Sequence, residues 1–253
     1  MAFGVKTWLK KQISQNLYKF NYHADGIAVS GKNVSALTED VFDQAFKKAT
    51  QLNKEGWAGT VPDIRWRAHI CCWAAKNALT LKGDFVECGV HTGLLSLTVA
   101  HFVDFARINR TFWLLDTFEG IPLETVSAEE KTHAEHMNAE LFFDCYELAR
   151  RNFAPFPNAR LVRGILPQSL AETQINDIAY LSIDLNNANA EMDTIEVLWS
   201  KLTPGAIVIL DDYAFTGYES QHHAWDKFAQ TRNLMILTVP TGQGLLIKPP
   251  ASA

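Results

Sequence analysis

The chain has 253 residues, with 23 Lys and Arg against 28 Asp and Glu and a net charge of −5. That length accommodates one large α/β domain with an N-terminal extension, and the lack of any basic run argues against a nucleic-acid surface. No apolar run approaches the ~20 residues of a membrane span, the N-terminus is too polar for a signal peptide, and Cys71, Cys72, Cys88 and Cys145 have no zinc-site spacing, so a soluble, cytoplasmic protein with reduced thiols is expected.

Residues 5–20 place Val5, Trp8, Leu9, Ile13, Leu17 and Phe20 at helical spacing. This amphipathic helix is expected to pack on the body of the protein or on a second subunit rather than on a membrane. Residues 21–36 read as irregular. Thr38 before two acids reads as a helix cap, with a helix to about Leu52. Residues 56–62 form a loop containing Trp57, and Asp63 caps a helix that carries Ile64, Trp66, His69, Ile70, Trp73 and Ala74 to about Gly83.

The pattern then alternates. Strands are expected over 84–88, 111–115, 159–163, 178–183 and 206–210, with helices over 94–107, 141–153, 191–202 and 219–231. A loop and polar helix at 117–137 is long enough to act as a lid. Two last strands, 234–239 and 244–248, are joined by a connection too short for a parallel crossover, so they form a hairpin. The fold class is therefore α/β: a Rossmann-like, mostly parallel seven-stranded sheet with a C-terminal antiparallel strand. Residues 1–80 are expected to be a helical cap or dimerisation extension, and residues 81–253 the ligand-binding domain.

Ligands of open parallel sheets bind beyond the carboxyl ends of the strands. Four of the five expected parallel strands end there on acids: Glu87, Asp116, Asp184 and Asp211-Asp212. Carboxylates so placed cost desolvation unless partnered. Gly89 and Gly93 let the backbone approach a ligand closely. Asp116 lies 27 residues after Gly89, where an acid accepts from ribose hydroxyls in nucleotide-binding folds. The glycine pattern is Gly-x-x-x-Gly, which disfavours a nicotinamide cofactor. A nucleoside with a cationic amino-acid part, S-adenosylmethionine, fits the acid before the glycines better. Asp184, Asp211 and Asp212 end neighbouring strands, and three converging carboxylates call for a cation. Oxygen-only ligands favour a hard ion such as Mg2+. The alternative is that Asp211 caps a helix and Asp212 faces solvent.

Three runs resemble the macrocin O-methyltransferase family: Val86-Glu87-Cys88-Gly89-Val90, Leu115-Asp116-Thr117-Phe118-Glu119-Gly120-Ile121-Pro122, and Pro204-Gly205 through Asp211-Asp212-Tyr213. The resemblance covers about residues 60–248. It implies a class I methyltransferase fold and an S-adenosylmethionine- and Mg2+-dependent transfer to a hydroxyl of a sugar or other natural-product small molecule. It also implies a cofactor site at Glu87, Gly89, Val90, His91, Gly93, Ser96, Asp116, Thr117, Phe118, Gly164 and Asp184, and a metal site at Asp184, Asp211 and Asp212. Two departures stand out. His91-Thr92-Gly93-Leu94 replaces the family's usual Trp-Arg-Gly-Gly. Asn186 stands where the family often has a second acid, a candidate general base, and an amide accepts no proton at neutral pH. The base is then expected to be Asp184, His222 or His223. Trp57, Trp66, Tyr213, Phe215 and Tyr218 are the aromatics expected to line the acceptor pocket, with Tyr213 to Tyr218 best placed and Trp66 closer to a core position. Rival readings are a nucleotide-dependent oxidoreductase on the same sheet and a non-catalytic S-adenosylmethionine-binding protein. A homodimer is expected from the apolar N-terminal helices.

Overall fold

The computed structural model describes residues 20–250. The helix expected over residues 5–20 lies outside these, apart from Phe20. Phe20 begins a hairpin, not an irregular stretch: β1 (Phe20–Ala24) pairs antiparallel with β2 (Ile27–Ser30). The turn is Asp25-Gly26, both with positive φ (52° and 71°). Asp-Gly is the pairing that such a two-residue turn selects, so the signal was present in the sequence.

Helix α1 (Asp40–Asn53) starts one residue later than a Thr38 cap would place it. Glu39 occupies the cap position, and the Thr38 hydroxyl instead donates to the Ser35 carbonyl (3.0 Å). Helix α2 (Arg65–Ala78) follows, with Asp63 accepting from the Arg65 backbone N–H (3.3 Å). Among the described residues, the extension from 20 to 80 is therefore part hairpin and part helix.

From there β3 (Asp84–Cys88), α3 (Leu94–Phe102), β4 (Phe112–Asp116), α4 (Lys131–Glu140), α5 (Tyr146–Asn152), β5 (Ala159–Arg163), β6 (Ile178–Ile183), α6 (Ala188–Leu198), β7 (Leu202–Leu210), α7 (Glu219–Gln230), β8 (Leu237–Thr238) and β9 (Gly244–Ile247) follow in order. The main sheet runs β5-β4-β3-β6-β7-β9-β8, and β9 is antiparallel to both of its neighbours. Helix 141–153 shortens to α5 because residues 141–145 serve as the connection from α4. Among the described residues no helix is long and apolar enough to cross a membrane.

Both faces of the central strands are buried, as a parallel sheet covered by helices requires. The period-2 alternation sorts the side chains. Phe85, Phe112, Leu114 and Tyr180 join α1, α2 and α3 in one core. Val86, Leu115, Leu181, Val208 and Leu210 join α6 and α7 in the other. Strand order reverses between β3 and β6, the one place where two neighbouring parallel strands send their following helices to opposite faces and leave a crevice.

That crevice is closed to a minimum by Gly89. Its φ is +86°, and a Cβ there would lie 1.8 Å from the Asp184 carbonyl oxygen. Gly59 has the matching φ of +87° with nothing within 4 Å, which makes it a matched control. Gly59→Ala is expected to cost only the left-handed conformation, roughly 1–2 kcal/mol. Gly89→Ala is expected to cost well over that, because backbone must move against backbone. Urea unfolding of the two variants checks this, and equal losses would show that the close approach is unimportant.

Candidate active site

The site is built on the β3–α3 loop. Glu87 is the penultimate residue of β3, Gly89 turns the chain, and Gly93 (φ +92°) precedes α3. Glu87 is 3% exposed, and its Oε2 has no hydrogen-bond partner although it faces the pocket. Burial pushes its carboxyl from the ordinary 4.5 to about 8. The Ser96 hydroxyl opposes this, while Asp211 and Asp116 add to it. A buried carboxylate oxygen without a partner is costly, and the ammonium of an amino-acid ligand would supply one to Oε2. Ser96 and Gly93 do not reach the pocket wall. Ser96 is fully buried on α3, and Gly93 packs on Phe153, whose Cε2 would sit 2.5 Å from a Cβ. Both support the loop from behind.

Asp116, at the end of β4, does something the sequence did not suggest. Its Oδ2 accepts from the backbone N–H of Val90 (2.5 Å) and His91 (2.7 Å), and its Oδ1 from that of Phe118 (2.7 Å). The acid expected to receive ribose hydroxyls is already the brace of the glycine loop. Oδ2 is filled by its two bonds, so a ribose contact falls to Oδ1, which accepts from Phe118 and has a lone pair left when the Thr117 hydroxyl is spent on Gly120. Beside it the Thr117 hydroxyl donates to the Gly120 carbonyl (2.6 Å). Phe118 lies buried and edge-on to Tyr146, and Gly164 donates from its N–H to the Asp116 carbonyl (2.9 Å). Asp116, Thr117, Phe118 and Gly164 all line the same pocket as Glu87, Gly89, Val90 and His91.

The three aspartates meet at its other end. Strands β6 and β7 are parallel neighbours with Ile183 opposite Leu210. Asp184, Asp211 and Asp212 therefore emerge side by side, one oxygen of each within 4.8 Å of the others. They are unequal. Both oxygens of Asp211 are held, Oδ2 by Arg67 Nη1 (2.7 Å) and Oδ1 by Gln243 Nε2 (2.8 Å). Asp184 Oδ1 accepts from Asn186 Nδ2 (3.1 Å), and Asp212 Oδ2 is buried without a partner. Burial first, then the neighbouring carboxylates, push Asp184 and Asp212 well above the carboxylate range, with Arg67 opposing. An all-oxygen, largely buried set with an orphaned carboxylate oxygen fits a hard divalent cation.

The structure does not bring His222 or His223 to this pocket. The loop after Asp212 folds back, with the Ala214 N–H on the Gly242 carbonyl. Helix α7 then starts with His222 stacked on Tyr213 (centroids 4.4 Å), its Nδ1 2.8 Å from the Tyr213 carbonyl and its Nε2 3.4 Å from Asp226. His223 packs edge-on to His222 (6.0 Å). Of the expected acceptor aromatics, Trp57 and Tyr218 line the pocket, while Trp66, Tyr213 and Phe215 do not. The Tyr218 hydroxyl donates to Asn186 Oδ1 (2.9 Å), so Asn186 links Tyr218 to Asp184.

Arg67 is a site residue that the sequence reading missed. It sits on α2, forks onto Asp25 through Nε (2.9 Å) and Nη2 (3.2 Å), and lies over the Phe215 ring. A signal existed: Arg67 falls three residues after Ile64 and four before Cys71, on the buried face of its helix, where an arginine must be paired.

The family model described as macrocin O-methyltransferase matches residues 65–238. Demethyldecarbamoylnovobiocin O-methyltransferase of Streptomyces niveus is 31% identical over 144 residues, 53% of each chain. The chain thus spans about half the length of that curated relative. Mycinamicin III 3''-O-methyltransferase of Micromonospora griseorubida is 23% identical over 230 residues, covering 86% of this chain and 85% of that protein. The solved structure of the O-methyltransferase NovP superposes with a TM-score of 0.68 at 21% identity, over 83% of this chain and 98% of that one. At that identity it shows a shared fold.

Glu87 gives the site a pH signature. Its folded pKa is raised, so its contribution to stability is fully present below pH 4.5 and is lost as pH rises through about 8. Glu87→Gln removes that dependence. Thermal unfolding of ligand-free protein at about pH 5 and about pH 8.5 is expected to show a larger fall for the wild type than for Glu87→Gln, with the variant gaining relative to the wild type at the higher pH. Parallel behaviour would remove Glu87 as the titrating group.

Proposed function

The chain belongs to the macrocin O-methyltransferase family, and from that premise we propose that it transfers the methyl group of S-adenosylmethionine to a hydroxyl of a sugar or other natural-product small molecule, with Mg2+ at Asp184, Asp211 and Asp212. The observation that carries this reading is one pocket joining two unsatisfied acidic ends, the orphaned Glu87 oxygen and the aspartate triad with its orphaned Asp212 oxygen.

Each residue's part follows from its environment. Glu87 pairs with the ammonium of the methyl donor. Asp116 fixes the amides of Val90 and His91, so the loop is shaped before the donor arrives. Phe118 and Gly164 flank the nucleoside. Gly93 and Ser96 act from behind the wall. When bound at the triad, Mg2+ would act as a Lewis acid toward the acceptor hydroxyl. Arg67 and Gln243 hold Asp211 in one orientation, which presents the triad as a preformed set. In the transfer the carbon–sulfur bond breaks, the carbon–oxygen bond forms, and the acceptor's proton leaves to a base. Asn186 cannot take it, and His222 and His223 lie elsewhere. Asp184 and Asp212 are the carboxylates in reach.

The extension before about residue 80 belongs with the site in this reading, since Trp57, Ile64 and Arg67 line the pocket. The homodimer is part of the same proposal.

Calorimetric titration with S-adenosylhomocysteine and with NAD, each followed by Mg2+, tests the proposal. S-adenosylhomocysteine is expected to bind and NAD is not. Asp212→Asn is expected to weaken Mg2+ by about tenfold or more while leaving S-adenosylhomocysteine affinity unchanged. Binding of NAD alone would overturn the reading in favour of an oxidoreductase.

A further inference from the structure

Arg67 is the one permanent cation among the described residues that line the pocket. It touches Asp211 of the aspartate triad through Nη1 alone (2.7 Å). A cation bound at the triad draws its affinity from carboxylate charge, and a guanidinium beside one of the ligands cancels part of that charge. The guanidinium also interacts with Asp184 across space. Taken alone, Arg67 therefore works in two directions: it fixes Asp211 and it opposes the ion.

Asp25 resolves the conflict. It takes the other two guanidinium nitrogens side-on, Nε on Oδ2 (2.9 Å) and Nη2 on Oδ1 (3.2 Å). Such a bidentate pair holds a guanidinium in one plane. The Asp25 side chain is 12% exposed and that of Arg67 16%, against 2% for Asp211, so the three form a largely desolvated row. The Phe215 ring lies over the guanidinium at 5.3 Å. With Nε and Nη2 occupied, the guanidinium cannot turn them toward the remaining carboxylates of the triad, where they would compete with a cation.

Nothing in the hairpin itself asks for that charge. Asp25 sits at the turn between β1 and β2 with φ 52°, followed by Gly26 at 71°. Asn-Gly serves such a turn as well as Asp-Gly does. The hairpin has its own anchor on α2: Tyr22 packs edge-on to Trp66 (5.4 Å), and its hydroxyl donates to the Asp63 carbonyl (3.5 Å). A buried ion pair is weak evidence for a stabilising role. What the Asp25 carboxylate answers is the residue that Arg67 holds on its other side.

We propose, resting on the methyltransferase reading and its Mg2+ site, that Asp25 is a positioning residue of the metal site and acts through Arg67. Its carboxylate cancels the guanidinium charge and fixes the plane from which Nη1 holds Asp211. The triad thereby keeps both its geometry and its charge for the cation. The β1–β2 hairpin is then part of the site, although none of its residues lines the pocket. By linkage the effect is reciprocal: a cation that binds better with the hairpin docked also favours the docked hairpin.

The test uses the whole protein saturated with S-adenosylhomocysteine and titrated calorimetrically with Mg2+. Asp25→Asn keeps the turn and the size of the side chain and removes the charge. It is expected to weaken Mg2+ about tenfold or more and to leave S-adenosylhomocysteine affinity unchanged. Asp25→Glu, which retains the charge, is expected to recover most of that loss. The double variant Asp25→Asn/Arg67→Met is expected to bind Mg2+ more tightly than Asp25→Asn alone, because the uncompensated cation has gone. Gly26→Ala is the control for hairpin stability: φ is positive there and a Cβ meets nothing within 4 Å, so Tm is expected to fall while Mg2+ affinity stays. Hydrogen exchange of the wild type needs no variant, and the amides of residues 20–30 are expected to exchange more slowly with Mg2+ than without it. The proposal is overturned if Asp25→Asn binds Mg2+ like the wild type, or if Gly26→Ala weakens Mg2+ as much as Asp25→Asn does. It is equally overturned if the double variant binds more weakly still, or if Mg2+ leaves hairpin exchange unchanged. A wild type that binds S-adenosylhomocysteine but no Mg2+ sinks the metal site and this proposal together, and leaves the methyl donor standing. Mg2+ binding that is indifferent to Asp25 sinks only this proposal.

Discussion

The close approach of Gly89 to the Asp184 carbonyl is the constraint on which the site depends. It occurs where β3 and β6 part, and the Asp184 N–H donates to the Cys88 carbonyl (2.8 Å) in the same step. The chain can pass there only without a side chain. Because it does, Glu87 and Asp184 are held on either side of one crevice. The β6–β7 register then carries Asp211 and Asp212 to the same place, with the Asp211 N–H on the Ile183 carbonyl. Sheet geometry thus concentrates acids that would repel each other in a free chain.

The molecule balances that concentration unevenly, and the unevenness marks function. Both oxygens of Asp211 and of Asp116 are held by donors of the protein, so their orientation is set before a ligand arrives. Glu87 and Asp212 keep orphaned oxygens, so they wait for a ligand. A third buried acid, Glu191 on α6, is satisfied in a different way: Trp225 Nε1 (2.6 Å), Gln221 Nε2 (2.8 Å) and the Leu185 N–H (3.3 Å) all donate to it. Burial pushes Glu191 up to about 7 against these donors. It ties α7 to the loop that carries Asn186. The segment before α4 docks on the same loop from above, through Glu130 accepting from the Ala188 N–H (2.9 Å) and Asn187 Nδ2 donating to Thr125 (2.6 Å). Three separate segments therefore fix the residues that follow Asp184, which is what a site of sub-ångström tolerance needs.

Much of this could be read along the chain. The alternation of strands and helices, the acids at strand ends and the paired glycines are local patterns, and the sheet realises them in the expected order. The β1–β2 hairpin is equally local, since Asp25-Gly26 is a turn signal in its own right, although its flanking strands are short and half polar. Thr38 does not cap α1: its hydroxyl takes the nearer Ser35 carbonyl, and such local competition is characteristic of threonine at helix ends.

The sequence by itself determined the fold class and the chemistry of the strand ends, because both follow from side-chain periodicity and from which residue types stop each strand. The tertiary structure alone decided which side chains share a pocket. His222 and His223 follow the metal loop in sequence, yet the turn at Ala214 carries them away to pack on Tyr213. Arg67 and Trp57, far upstream, are brought in by the packing of the extension on the sheet, and Asn186 finds its partner in Tyr218 across 32 residues. Proximity of this kind depends on how loops turn and how distant segments pack, and no window along the chain contains that information.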